Sequence, residues 1–297
     1  MDGNKLKTRL QDRLLKITYL LYVFLFFLLF GACKEKQNKS SFTVKDETAQ
    51  ALLNFESRKY VTVEGKWKKE INDHSWNPKE TAIIICDMWN KHWCDSATAR
   101  VKKMAPKVNE LVKTARKMGV TIVHAPSSTM DFYQNHPARK KALQQARVEP
   151  PIPLEYWFYR DSVREPELPI DDSDEGCDSP GNIPTAVYSR QIETIEIFED
   201  DLISDSGQEM HNYFTAHDID NIVLCGVHTN MCVLGRTFGI RGQVKLGNNV
   251  VLARDLTDAM YNPEMPPKVS HGEGTELVIN HIEKYWAPSV KWKDIVN

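Results

Sequence analysis

The stretch that most constrains this 297-residue chain runs from Ile222 to Arg236, IVLCGVHTNMCVLGR. Ile222-Val223-Leu224-Cys225 is an apolar run of strand length, and Gly226 breaks it. His228, Thr229 and Asn230 are polar and turn-like, and Met231 to Ile240 has the composition of a helix. Cys232 therefore falls at a strand-to-helix junction, where unpaired helix N–H groups favour a thiolate and can hold a developing oxyanion. On chemistry alone, a nucleophile and a buried structural cysteine are equally good readings.

A second run, Thr81-Ala82-Ile83-Ile84-Ile85-Cys86, is continuous and rich in β-branched residues, as expected of a parallel strand buried on both faces. It ends in Asp87, and ligands bind at the carboxyl ends of such strands. Val101, Met104, Val108, Leu111, Val112 and Ala115 recur at helical spacing, which predicts a core helix over 96–118, ended by Gly119. Val120 to His124 is the next strand. Ala186 to Ser189 is a short strand candidate, 204–217 a helix, Asn249 to Ala253 a strand and 276–285 a terminal helix. This alternation predicts a three-layer α/β/α sandwich on a mostly parallel, Rossmann-like sheet.

The segment 131–185 interrupts the alternation. It holds a short helix near 139–148, a rigid Pro150-Pro151-Ile152-Pro153, the aromatic cluster Tyr156 to Tyr159 and an acidic, turn-rich 171–180. So long an irregular loop reads either as a lid that sets an aromatic wall over the site or as a surface loop packed on the core.

The amino terminus differs from the rest. Lys5, Lys7, Arg9, Arg13 and Lys16 precede an apolar run over 17–30, then Gly31-Ala32-Cys33. That is the layout of a secretory signal over 1–32, and its end resembles a bacterial lipoprotein cleavage box that leaves lipid on Cys33. Polar residues 33–55 read as a tether and 56–297 as the folded domain. The expected location is the cell envelope, outside the cytoplasm, with the membrane contacted through that lipid. A net charge of −2 gives no reason to expect a nucleic-acid partner. With Cys33 lipidated, five cysteines remain, and an odd number leaves at least one thiol free. Cys86 and Cys225 sit in apolar runs and read as core packing; Cys94 with Cys177 is a candidate disulfide.

GVHTNMCV resembles the G-V-x-T-x-x-C-V signature of the isochorismatase-like cysteine hydrolases, a superfamily that includes nicotinamidases and N-carbamoyl amidohydrolases. The similarity spans about 81–285. It implies hydrolysis of a small amide, carbamoyl or related acyl substrate through a Cys232 acyl-enzyme, with Asp87 as base. The family places a lysine about 40 residues before the cysteine; the matching position is Arg190, which cannot act as a proton relay. The alternative for Arg190 is an ion pair with Glu193 or Glu196. The family also implies a cis peptide between Val227 and His228 that aims amides at the oxyanion. Trp89 stands where a glutamine is usual and is expected to reshape the pocket wall. Some relatives hold a metal, but no matching histidine pattern occurs here, so neither metal nor cofactor is expected. Relatives commonly form oligomers, which makes a homo-oligomer the expectation. A rival from another class is a non-catalytic, ligand-binding lipoprotein on the same scaffold, motivated by Arg190 in place of lysine.

Overall fold

A computed structural model describes residues 51–297. The signal segment, Cys33 and most of the expected tether lie outside the described residues. No helix among the described residues is long and apolar enough to cross a membrane.

Eight strands form one sheet: β1 (Leu53–Val63), β2 (Lys66–Trp76), β3 (Thr81–Cys86), β4 (Thr121–Ala125), β5 (Leu202–Ile203), β6 (Asn221–Val227), β7 (Asn249–Asp258) and β8 (Ser289–Val290). Their order is β2-β1-β8-β7-β6-β3-β4-β5. The six strands from β8 to β5 run parallel, and the β1–β2 hairpin joins antiparallel at one edge. The helices are α1 (Asp95–Lys117), α2 (Met130–Tyr133), α3 (Pro137–Leu143), α4 (Gly207–Ala216), α5 (Cys232–Gly235), α6 (Ile240–Lys245), α7 (His271–Tyr285) and α8 (Trp292–Ile295).

The predicted three layers are present, and the strand alternation shows why. In β3 and β6 every residue is buried, and successive side chains enter opposite cores. Ala82, Ile84, Ile222 and Leu224 pack with Met210, Phe214, Phe238, Val278 and Ile282, from the side of α4 to α7. Ile83, Ile85, Val223 and Cys225 pack with Val101, Ala105, Val108, Val112 and Trp292, from the side of α1 and α8. An apolar run thus becomes a central strand because both its faces need cover.

Three expectations are corrected. The domain begins before residue 56, because Leu53 and Phe55 are already buried in β1. No strand forms over 186–189; Ala186, Val187 and Ser189 are exposed and the backbone is held by Asn90 side-chain bonds to Ser189 and Arg190 instead. The parallel edge strand is β5. The helix expected over 231–240 breaks after Gly235, where Arg236 turns extended (φ −57°, ψ 153°), and resumes as α6.

Candidate active site

Register brings the two key strand ends together. Cys86 pairs with Gly226, so Asp87 leaves β3 beside the Val227–His228 peptide at the end of β6. That peptide is cis. Only glycine fits at 226: φ is +106°, and a Cβ there would sit 2.0 Å from the Cys86 carbonyl oxygen. Asp87 itself has φ +49°, a left-handed conformation that non-glycine residues adopt at a cost and that concentrates at functional sites.

The loop from β6 to α5 is clamped from three sides. The Thr229 N–H donates to the Asp258 carbonyl at 2.9 Å. The Thr229 hydroxyl lies 2.7 Å from that of Thr257, which donates to the Gly226 carbonyl at 2.8 Å. Asn230 accepts from the Met260 N–H at 2.8 Å and donates to the Met260 carbonyl at 3.0 Å and to Asp172 at 2.7 Å. Cys232, the first residue of α5, is thereby fixed facing Asp87.

Three side chains meet here. The Cys232 thiol and the Asp87 carboxylate sit close enough for each to shift the other's pKa. Asp87 Oδ1 accepts the Ser127 N–H at 2.8 Å, and Oδ2 accepts Arg236 Nε at 3.1 Å. The Asp87 side chain has no exposed area and that of Arg236 little. Burial raises the Asp87 pKa, with Arg236, then Ser127 and Cys232, opposing it. Burial, with the Asp87 charge next, raises the Cys232 pKa. The helix-end argument for a resting thiolate is outweighed, because α5 is only one turn long and the carboxylate beside the sulfur holds the proton on it. The His228 backbone N–H faces the sulfur and works in the opposite sense.

The cation of this cluster is Arg236, not Arg190. Arg190 is over a third exposed, bonds Glu193 and lies 5.3 Å from the Phe132 ring centre. The Arg190 backbone reaches the end of β3, where its carbonyl accepts the Asn90 N–H at 2.8 Å, but its side chain pairs with Glu193 and not with Asp87. Arg236 follows α5 rather than belonging to it, and its extended backbone after the break at Gly235 sets its side chain against Asp87.

Aromatic rings border the cluster. Trp89 is buried, donates Nε1 to the Ser127 carbonyl at 3.0 Å and stacks on Tyr188 at 4.4 Å. His92 stacks beside Trp89 at 6.0 Å and meets His228 edge-on at 4.9 Å. The inserted segment reaches the site through Trp157, whose ring lies 5.5 Å from the Arg236 guanidinium. Gly235 allows that contact, since a Cβ there would be 2.4 Å from the Trp157 ring. Phe158 is buried beside it, whereas Tyr156 and Tyr159 are exposed, so the aromatic cluster is half wall and half surface. A disulfide joins Cys94 to Cys177 and ties the acidic part of the segment to the start of α1; Cys86, Cys225 and Cys232 are free and buried.

The remaining candidates lie elsewhere. His124 is buried between Gln191 and Asp201, His136 caps α3, and Asp255 caps the Trp292 N–H. His271 bonds Asp258 at 3.0 Å. Open cavities of about 530 and 650 Å³ are bordered by Arg160 and Arg241 and by Phe55 and His74, away from Cys232.

The fold and site thus define a mostly parallel α/β protein with a buried Cys-Asp-Arg cluster at the carboxyl edge of its sheet. No family model and no curated protein matches the sequence. Among solved structures, the chain is similar to a cysteine hydrolase from Pseudomonas syringae pv. phaseolicola 1448A (19% identity, TM-score 0.47, 74% of this chain and 92% of that one). It is also similar to the pyrazinamidase of Pyrococcus horikoshii, solved in complex with zinc (18%, TM-score 0.39, 71% and 99%). N-carbamoylsarcosine amidase from Thermoplasma acidophilum is more remote (11%, TM-score 0.33, 60% and 83%). These are distant likenesses, and the functional reading rests on the site itself.

Proposed function

We propose that this protein is a cysteine hydrolase that cleaves a small amide, carbamoyl or related acyl compound through an acyl-enzyme on Cys232. The observation that carries this reading is the Cys232–Asp87 pair, buried, electrostatically coupled and braced by Arg236. Asp87 takes the thiol proton as Sγ attacks the carbonyl carbon. The carbonyl π electrons move to oxygen, where the amides of Cys232 and His228 serve as donors in this reading. Collapse breaks the C–N bond, and the leaving nitrogen takes the proton from Asp87. Water, activated by the same carboxylate, then splits the thioester and restores the thiol. A raised Asp87 pKa makes the carboxylate a better base than an exposed aspartate. Arg236 keeps its proton throughout; it orients Asp87 and offsets the one negative charge that the pair carries.

The binding-only reading drew on arginine in place of lysine; the mechanism above asks no proton of its cation, so Arg236 is compatible with turnover. The test is a panel of primary amides and N-carbamoyl compounds assayed with the native protein, Cys232→Ala and Asp87→Asn, with intact-mass detection of the acyl adduct. Turnover surviving in Cys232→Ala would sink the mechanism. We also propose attachment to the cell envelope through lipid on Cys33, on the sequence of residues 1–33 alone; a Cys33→Ser chain that still partitions with lipid after fatty-acid labelling would refute it.

A further inference from the structure

We propose that the Cys94–Cys177 disulfide and Asp172 together position the loop that carries Cys232, and that a dithiol which opens the disulfide thereby slows turnover. The effect on turnover rests on the hydrolase reading above; the hold on the loop does not.

The contacts converge on one short stretch. Met231, the residue before Cys232, packs in one cluster with Cys94, Cys177, Ala97 and Met260. Asn230 is bonded on one side to the Met260 backbone and on the other to Asp172. Gly176 meets Met260 from the insert: its φ is +67°, and a Cβ there would sit 2.3 Å from the Met260 carbonyl oxygen. Arg100 donates to Asp178 and to Asp258, both at 2.8 Å, and the Asp258 carbonyl takes the Thr229 N–H. One arm of the insert, residues 171–178, therefore bears on Thr229, Asn230 and Met231, the three residues that lead into the nucleophile.

This arm needs a covalent hold. It carries five carboxylates in eight residues, Asp171, Asp172, Asp174, Glu175 and Asp178. Arg100 is the only permanent cation paired with any of them among the described residues. Burial raises the Asp172 pKa, the Asn230 hydrogen bond opposes it, and the charges of Asp171 and Asp174 add to it. The docked arm thus works against its own charge. The disulfide joins residues 83 apart in sequence, and a crosslink restricts the chain most when it closes a long loop.

Cys94 is fully buried and Cys177 half-buried, so a thiolate meets the Cys177 sulfur first. Attack there forms a mixed disulfide and breaks the Cys94–Cys177 bond; the electron pair leaves on the Cys94 sulfur, which takes a proton. The second thiol of the reagent then displaces Cys177, which also becomes a thiol, and the reagent leaves as its own cyclic disulfide. Two electrons and two protons pass to the protein. Cys86, Cys225 and Cys232 are already free and are unchanged.

The test follows the full chain oxidised, reduced with dithiothreitol and reoxidised, with thiol counting to confirm each state. Amide hydrogen exchange over 228–236 should speed up by at least about tenfold on reduction while the chain stays folded. On the amide and N-carbamoyl panel kcat should fall by about 10–100-fold with little change in KM, the scale of a displaced nucleophile. Both should return on reoxidation. Asp172→Ala should reproduce both changes, and dithiothreitol should then add little, because two parts of one support are not additive. Asp172→Asn keeps an acceptor for Asn230 and should restore most of the hold. Unchanged exchange over 228–236 after complete reduction overturns the proposal, whether or not a substrate is found. Full additivity of Asp172→Ala with reduction overturns the role of Asp172. Faster exchange with kcat intact overturns the effect on turnover. An oxidised protein that turns over nothing in the panel counts against the hydrolase reading, and exchange still decides the hold on the loop. If reduction unfolds the chain, Asp172→Ala with the disulfide intact decides by the same two readouts.

Discussion

Two buried carboxylates in this molecule each face an arginine, and their environments drive them in opposite directions. Glu165, in the inserted segment, accepts Arg241 Nε at 2.8 Å and the Asp161 N–H at 3.2 Å on one oxygen. Its other oxygen lies 2.7 Å from His281 Nε2. Burial raises its pKa, but the hydrogen bonds from His281 and Arg241 prevail and hold it at about 2. Asp87 lies deeper, with one arginine at a longer 3.1 Å and a thiol in place of a histidine, and burial, the largest cause, raises its pKa. A fully bonded carboxylate is a structural pin, here fastening the insert to α6 and α7. An underbonded one is a base waiting for a proton.

The largest effects should fall on activity at the underbonded site. Cys232→Ala is expected to abolish turnover, and Asp87→Asn to lower kcat by about 10²–10⁴-fold, the usual range for a lost general base. Asp87→Asn should nevertheless fold, because the desolvated carboxylate it removes offsets part of the cost of leaving Arg236 without its counter-ion. Steady-state kinetics beside a urea melt would separate the two effects. An Asp87→Asn protein of near-native activity would dissolve the contrast with Glu165.

The same contrast reverses for stability. Glu165→Gln leaves Arg241 buried without its counter-ion, and breaking such a pair typically costs about 3–5 kcal/mol. The urea midpoint should fall far more than in Asp87→Asn, while residual activity per folded molecule stays near native. Equal destabilisation by both would mean that Asp87 is also a pin.

Acid separates them by sign. Glu165 is lowered from an ordinary 4.5 to about 2, so its stabilisation is complete above 4.5 and is lost as pH falls toward 2. Asp87 is raised, so its contribution is fullest below its ordinary 3.8 and is lost as pH rises through the folded value. Ionised Asp87 therefore costs stability at neutral pH, where the mechanism needs it. The acid limb of kcat/KM should lie above the ordinary aspartate value, and Arg236→Met should move it higher by removing the main opposing charge. A limb at or below 3.8 would argue against Asp87 as the base.

How much of this could be read in the sequence follows from the same physics. Asp87 and Cys232 could be placed at strand ends because each ends or follows an uninterrupted apolar run that suits a two-faced parallel strand, and the motif resemblance singled them out there. Trp89 and His228 came with them as near neighbours in the chain. Arg236 was not legible as the cation, since nothing local marks the break after Gly235 that turns its side chain toward Asp87. Glu165, Arg241 and His281 lie 76 and 116 residues apart in sequence, and only the folded insert brings them together. The false strand at 186–189 arose from two strand-prone residues, Val187 and Tyr188, in a segment that forms no ladder of its own.

The smallest expected effect belongs to Arg190, and it tests the assignment of the cation. Its guanidinium is about a third exposed and its partner Glu193 more so, and surface pairs of this kind contribute about 0–1 kcal/mol. Arg190→Ala should leave kcat/KM within about twofold and the acid limb where it was. Arg236→Lys offers the complementary measurement. Lysine keeps the charge but not the planar fork, so it should retain part of the activity that Arg236→Met loses. If Arg190→Ala were the crippling variant and Arg236→Met the tolerated one, the Arg190 side chain would have to leave Glu193 for Asp87 in solution. The Cys-Asp-Arg cluster described above would then not be the working site.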